Sequence, residues 1–167
     1  IEAVERDFNH PSLIGWCLFN ETWDWNYRKQ CDAILDTVYR VTKAIDPTRP
    51  VIDTSGNFHV VTDIYDVHDY EQDPTAFAEN YSKISEGIVN DTTERNPILR
   101  GRQKYDTKLP FFISEYGGIK WSSDNENSWG YGDTPKTEDE FIQRYKGLTE
   151  EILKHKDIMG FCYTQLY

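Results

Sequence analysis

Glu21 and Glu115 stand 94 positions apart, and each sits at the C-terminal end of a short apolar run. The first run is Leu13-Ile14-Gly15-Trp16-Cys17-Leu18-Phe19, leading into Asn20-Glu21; the second is Leu109-Pro110-Phe111-Phe112-Ile113, leading into Ser114-Glu115-Tyr116-Gly117-Gly118. Two strands that each deliver a carboxyl at the same kind of end suit cleavage of a glycosidic bond. One carboxyl protonates the leaving oxygen, while the other attacks the sugar or activates water. In the retaining form the two stand about 5–5.5 Å apart, one protonated and one ionised near neutral pH. A sugar ester on Glu115 would remove its charge, and Glu21, its proton given up, would then act as base. Either glutamate alone reads as one solvent-facing carboxylate among 29 acidic residues. Together, with Asn before one and Ser before the other, they read as a catalytic pair.

The elements that must position them alternate along the chain. Leu13–Phe19 has the near-continuous apolar character of a strand buried on both faces. Ile34, Val38, Val41 and Ile45 recur at helical spacing, and this helix stops before Pro47. Short strands follow at Val51–Thr54 and Ile64–His68. Asp73-Pro74 supplies an N-cap and a first-turn proline to a helix with Phe77, Tyr81, Ile84 and Ile88 on one face. Asn90–Lys108 is polar without a clear period. Phe111–Ser114 is the next strand, and Gly117–Asp133 is a long loop. Thr137-Glu138-Asp139-Glu140 has capping-box spacing and opens a helix carrying Phe141, Tyr145, Leu148 and Ile152. Ile158–Thr164 is the last strand. The alternation predicts an α/β protein with about five parallel strands and intervening helices. Both glutamates fall at the rim where (β/α)8 barrels keep their sites, yet such a barrel takes roughly 250 residues and eight strands. The 167-residue chain, opening at Ile1 without an initiator Met, therefore reads as the C-terminal part of a barrel belonging to a longer protein.

Hydrophobic content of 38% and charged content of 28% describe a globular chain with a core. The formal charge of −11 opposes binding to nucleic acid and to anionic membrane surfaces, both of which demand basic patches. No apolar stretch approaches the roughly 20 residues that cross a bilayer. Cys17, Cys31 and Cys162 are odd in number and lack metal-ligand spacing; Cys17 and Cys162 read as buried core thiols. Three glycosylation triplets, at Asn20, Asn80 and Asn90, are of a kind frequent by chance.

Arg6-Asp7-Phe8-Asn9-His10-Pro11-Ser12 running into Asn20-Glu21 resembles the acid/base segment of glycoside hydrolase family 2. Ser114-Glu115-Tyr116-Gly117 resembles its nucleophile segment. Asp46-Pro47-Thr48-Arg49-Pro50 and Gly160-Phe161-Cys162-Tyr163-Thr164-Gln165-Leu166 are similar to the family as well, and all occur in order. The resemblance implies barrel strands four to eight, spanning residues 1–167, of a retaining β-glycosidase. It implies β-galactosides as substrate first and β-glucuronides second, with no cofactor. It further implies Glu21 as acid/base, Glu115 as nucleophile, Asn20 as ligand of the sugar 2-hydroxyl and Tyr70 as a donor to Glu115. The family's large aromatic on the eighth strand has no Trp counterpart in Phe161–Tyr167.

His68 reads as a substrate contact or as a satisfied core histidine, and is placed with the site. His10, His59 and His155 show no ligand spacing, and no metal is expected. Trp23, Trp25, Trp121 and Trp129 fall in the loops beyond the two glutamates, where indole faces can stack on sugar C–H faces. Trp121, six residues after Glu115, is the first candidate for such a platform. A rival reading is a non-catalytic carbohydrate-binding or scaffold half barrel. Open sheet edges also make a homo-oligomer an expected partner state. The chain alone is expected to have little or no hydrolase activity.

Overall fold

All five expected strands form, with helices between them, in a computed structural model that describes residues 1–22, 29–89, 105–121 and 129–165. Trp23, Trp25, the Asn90-Asp91-Thr92 triplet, Leu166 and Tyr167 lie outside the described residues. The elements are α1 (Glu2–Asp7), β1 (Trp16–Cys17), α2 (Asp32–Ile45), β2 (Val51–Ile52) and β3 (Tyr65–Asp69), then α3 (Pro74–Tyr81), a 3₁₀ turn (Ile84–Glu86), β4 (Phe111–Gly117), α4 (Glu138–Lys154) and β5 (Ile158–Thr164). Among the described residues this is five of the eight strands of a closed (β/α)8 barrel, so the chain carries part of that fold. It divides into two compact units, Ile1–Val67 and His68–Tyr167.

In the first unit β1 and β2 pair in parallel, Trp16 opposite Val51 and Cys17 opposite Ile52. Hydrogen bonds continue this ladder beyond the regular strands: Trp16 N donates to Pro50 O, Leu18 N to Ile52 O, Ser55 N to Phe19 O and Glu21 N to Ser55 O. The apolar run is thus extended as expected, but it is not buried on both faces, since Ile14 and Cys17 are exposed. Apolar content alone cannot separate a strand covered on two faces from one covered on one.

The Asp46-Pro47-Thr48-Arg49-Pro50 segment locks the ladder to α2. Asp46 is fully buried; its Oδ1 accepts from Thr48 N and Oγ1, and its Oδ2 from Trp16 Nε1 (2.9 Å) and Arg49 Nη1 (2.7 Å). Burial opposes the charge, but these donors outweigh it and hold the Asp46 carboxyl well below the usual carboxylate range. Arg49 also donates to the carbonyls of Leu13, Phe8 and His10, which ties the N-terminal segment down. Helix α2 buries Leu35 and Thr42, while Ile34 and Val41 of the expected face are exposed. The rotation carries Tyr39 and Lys43 to Asp63, at 2.7 and 3.0 Å, so polar anchors rather than apolar spacing set the buried face.

The other sheet has the order β3-β4-β5, with β4 and β5, both in the second unit, parallel. Helix α3 starts as its sequence predicts: Asp73 Oδ1 accepts from Thr75 N and Ala76 N, and Pro74 fills the first turn. The helix ends at Tyr81, and Ile84 joins Phe77 and Tyr81 in the core from the 3₁₀ turn, whereas Ile88 is exposed. At α4, Thr137 accepts from Glu140 N, and the Glu140 carboxylate reaches back to Lys136 N rather than to Thr137 N. Leu148 and Ile152 are buried with Phe111, Ile113 and Tyr116. Gly147 lets α4 approach α3, since a Cβ there would lie 2.7 Å from Pro74 Cγ. Strand β5 is last in the sheet order, and Cys162 on it is exposed, as are Cys17 and Cys31. The reading of Cys17 and Cys162 as core thiols is therefore corrected: neither short β1 nor β5 is enclosed on both faces.

Candidate active site

Glu21 ends the parallel ladder of the first unit. Asn20 bridges Ser55, and Glu21 donates its amide to Ser55 O at 2.9 Å. Beyond it, Thr22 Oγ1 lies 2.8 Å from Thr54 Oγ1 and donates to Gln30 Oε1. Residues on both sides of Glu21 are therefore held by the turn that follows β2. Glu21 has φ of +48°, in the left-handed region that a residue with a Cβ seldom occupies. Such a conformation persists only where its surroundings over-determine it, and it is a common mark of functional positions.

The turn beneath Glu21 rests on three buried titratable groups that spacing alone did not disclose. His59 Nδ1 lies 2.7 Å from Asp53 Oδ1, and Nε2 lies 3.2 Å from Asp66 Oδ1, with the imidazole only 4% exposed. Asp53 also accepts from Thr54 N, Val60 N and Val61 N. Asp66 Oδ2 accepts from Ser55 Oγ (2.8 Å) and Gly56 N (3.1 Å). Burial disfavours a charged ring, but Asp53 and Asp66 overcome it and raise the His59 pKa to about 9. The only sequence signal was polar residues crowding a segment, Val51–Asp66, that also carries the chain's buried Val51 and Ile52.

In the second unit Glu115 lies on β4, which runs on to Gly117, beyond the expected end at Ser114. Ile113 pairs with Phe161 and Tyr116 with Tyr163, so three steps along β4 match two along β5. The extra residue is a bulge at Ser114–Glu115. Strict alternation would put Glu115 on the face of buried Phe111 and Ile113; the bulge puts Tyr116 there instead and re-aims Glu115. Tyr116 is then anchored by its hydroxyl, 2.7 Å from Thr149 Oγ1. The two glycines that follow are required: Gly117 has φ of +83°, and a Cβ would meet the Tyr163 ring at 2.2 Å.

The Tyr70 hydroxyl donates to Glu115 Oε2, and His68 Nε2 lies 3.4 Å from Oε1. The His68 imidazole is 2% exposed and the Glu115 side chain 25%, so the carboxylate is framed from within and open on one side. Tyr70 is stacked on Tyr131, with centroids 3.9 Å apart and planes 15° from parallel, and Trp129 stands edge-on to Tyr131. Tyr131 had no sequence signal, because it is brought to Tyr70 by a bridge to Ile119 that follows the loop. Trp129 is 64% exposed at the end of this aromatic series. Trp121, the first candidate platform, rests one side of its indole near Phe141 of α4, with ring centroids 5.8 Å apart.

Each unit carries its candidate carboxyl toward the C-terminal side of its parallel strands, Glu21 beyond β1 and Glu115 on β4, the side on which (β/α)8 barrels keep their sites. The chain belongs to the glycosyl hydrolases family 2, matching the family's TIM barrel domain over residues 1–147. It is 26% identical over 160 residues to a β-galactosidase of Alteromonas mediterranea, covering 93% of this chain and 13% of that protein. A β-glucuronidase of the dog, Canis lupus familiaris, is 30% identical over 122 residues, 70% of this chain and 17% of that protein. Among solved structures, the β-D-glucuronidase of Dictyoglomus thermophilum superposes with a TM-score of 0.59 at 22% identity, over 98% of this chain and 27% of that one. The chain thus spans under a fifth of the length of these two curated relatives.

Proposed function

We propose that this chain carries both catalytic carboxyls of a retaining β-glycosidase, as the C-terminal part of a catalytic barrel within a longer protein. The observation that supports this most directly is the Tyr70 hydroxyl donating to Glu115 at a bulge that turns the carboxylate off the packed face. A donated hydrogen bond fixes the direction of the carboxylate for attack. Glu115 attacks the anomeric carbon as Glu21 protonates the departing glycosidic oxygen. Water, deprotonated by Glu21, then cleaves the glycosyl ester, which restores both groups. Asn20 holds the sugar 2-hydroxyl, His68 contacts the sugar, and Trp121 and Trp129 are the aromatic contacts for the rest of the saccharide. The substrate is a β-galactoside, with a β-glucuronide as the alternative, since the relatives named above divide between the two.

The test is covalent trapping in the full-length protein that contains this segment. A 2-deoxy-2-fluoro β-galactosyl fluoride, and its glucuronyl counterpart, should add one sugar to the peptide bearing Glu115 and none to the Glu115→Ala variant. Labelling elsewhere would refute the nucleophile assignment, and the reagent that reacts faster identifies the sugar. The 167-residue chain alone is proposed to be inactive, because catalysis needs the sugar held tightly against both carboxyls. Nitrophenyl β-glycoside turnover by it at an ordinary enzyme's rate would overturn that.

A further inference from the structure

We infer that the buried Asp53–His59–Asp66 cluster is a positioning device for Glu21, holding the acid/base in register through the Ser55–Gly56 turn. The inference deepens the glycosidase reading and rests on the assignment of Glu21 within it.

The connection is short and continuous within the first unit. Glu21 hangs by its amide from Ser55 O, while Ser55 N returns to Phe19 O, so Ser55 fixes the chain on both sides of Asn20. The Ser55 hydroxyl and the Gly56 amide are both held by Asp66 Oδ2. Asp66 meets His59 Nε2 through its backbone amide (3.1 Å) and carbonyl (3.2 Å), and Asp53 Oδ1 lies 2.7 Å from Nδ1 on the other edge of the ring. Asp53 in turn holds the Thr54 amide, and Thr54 Oγ1 meets Thr22 Oγ1. The two arms thus run from one imidazole to the residues before and after Glu21.

Three buried titratable groups are a costly way to pack a turn, since apolar side chains of similar volume often do it as well. What they supply that apolar packing does not is direction: each hydrogen bond fixes an oxygen that orients the next amide or hydroxyl. Glu21 needs such constraint because its left-handed backbone would otherwise relax. The groups facing the ring are Asp53 and Asp66, with the Tyr65 ring edge-on at 5.2 Å. Asp53 Oδ1 takes the Nδ1 edge of the ring at 2.7 Å, while Nε2 is met by the Asp66 amide at 3.1 Å, the Asp66 carbonyl at 3.2 Å and Asp66 Oδ1 at 3.2 Å.

The experiment compares kcat/KM for an alkyl β-glycoside, which needs a proton on its leaving oxygen, with that for a 2,4-dinitrophenyl β-glycoside, which does not. In the full-length protein, His59→Gln should lower the alkyl value about 100-fold, as a displaced catalytic group does, and leave the dinitrophenyl value within about 3-fold. Azide should then raise kcat of the variant on the dinitrophenyl substrate and yield the β-glycosyl azide, because the base for water is also misplaced. Ser55→Ala, which spares the charged cluster, should show the same leaving-group dependence to a smaller degree; if His59→Gln does not fold, this variant decides. Equal losses on both substrates without azide rescue would mean that the cluster only supports the fold, and would overturn the inference. A wild type that neither turns over nor accepts the fluoro-sugar on Glu115 would instead refute the glycosidase reading, and this inference with it.

Discussion

Tyr70 and Glu115, 45 positions apart, are joined by a hydrogen bond from the phenol to the carboxylate. Tyr70 is itself clamped by stacking on Tyr131, so the donor is held in place before any substrate arrives. Removing one preorganised donor of this kind typically costs about 10²–10³ in kcat. Tyr70→Phe in the full-length protein should therefore lower kcat by about that factor with KM little changed. Steady-state kinetics on an aryl β-glycoside provide the check, and a change confined to KM would show that the hydroxyl serves binding alone.

Glu21→Gln should separate substrates by leaving group. Loss of the proton donor should lower kcat/KM for alkyl β-glycosides by about 10²–10⁴, while activated aryl glycosides retain most of theirs. Equal loss on both would remove Glu21 from the acid/base role.

His59 should remain an imidazolium through neutral pH. Its folded pKa of about 9 lies above the ordinary 6.5, so its contribution to stability is fully present below about pH 6.5 and is lost as pH rises through 9. The contribution is on the order of 3 kcal/mol. ¹⁵N NMR should show both ring nitrogens protonated at pH 7.5; a midpoint near 6.5 would contradict the two-carboxylate cage.

Asp46 carries the opposite sign. Its carboxyl is held below the usual range, so its contribution is present above about pH 4 and lost as pH falls toward the folded pKa. Arg49→Ala leaves that buried carboxylate short of a partner and should destabilise the chain by about 3–5 kcal/mol. Denaturant midpoints at pH 7 measure this, and a change under about 1 kcal/mol would reduce the pair to a surface contact.

Gly117→Ala should harm both the fold and the site. The added methyl meets the Tyr163 ring at 2.2 Å on a backbone with φ of +83°. Thermal melting should show a loss of about 1–3 kcal/mol, accompanied by slower fluoro-sugar labelling of Glu115. Unchanged melting would mean that β5 yields to admit the methyl.

Features governed by a few neighbouring residues were legible in the sequence. Asp73-Pro74 and Thr137-x-x-Glu140 start their helices as read, because a cap closes within one turn. The apolar runs mark the strands, and the motifs around Glu21 and Glu115 mark the family, whose barrel domain the chain matches. Burial was not legible in the same way. Leu35 and Thr42 face inward on α2 because Tyr39 and Lys43 reach Asp63, and Cys17 and Cys162 lie open because their strands are not enclosed. Tyr131, which no local signal marked, supplies the ring that clamps Tyr70. The direction of Glu115 depends on an extra residue in β4 that no composition reveals. His59 had no ligand spacing, and only folding sets it between Asp53 and Asp66. The identity of a residue and its near neighbours determine what it can do; partners distant in sequence, present only once the chain closes on itself, decide which way it points and what charge it holds.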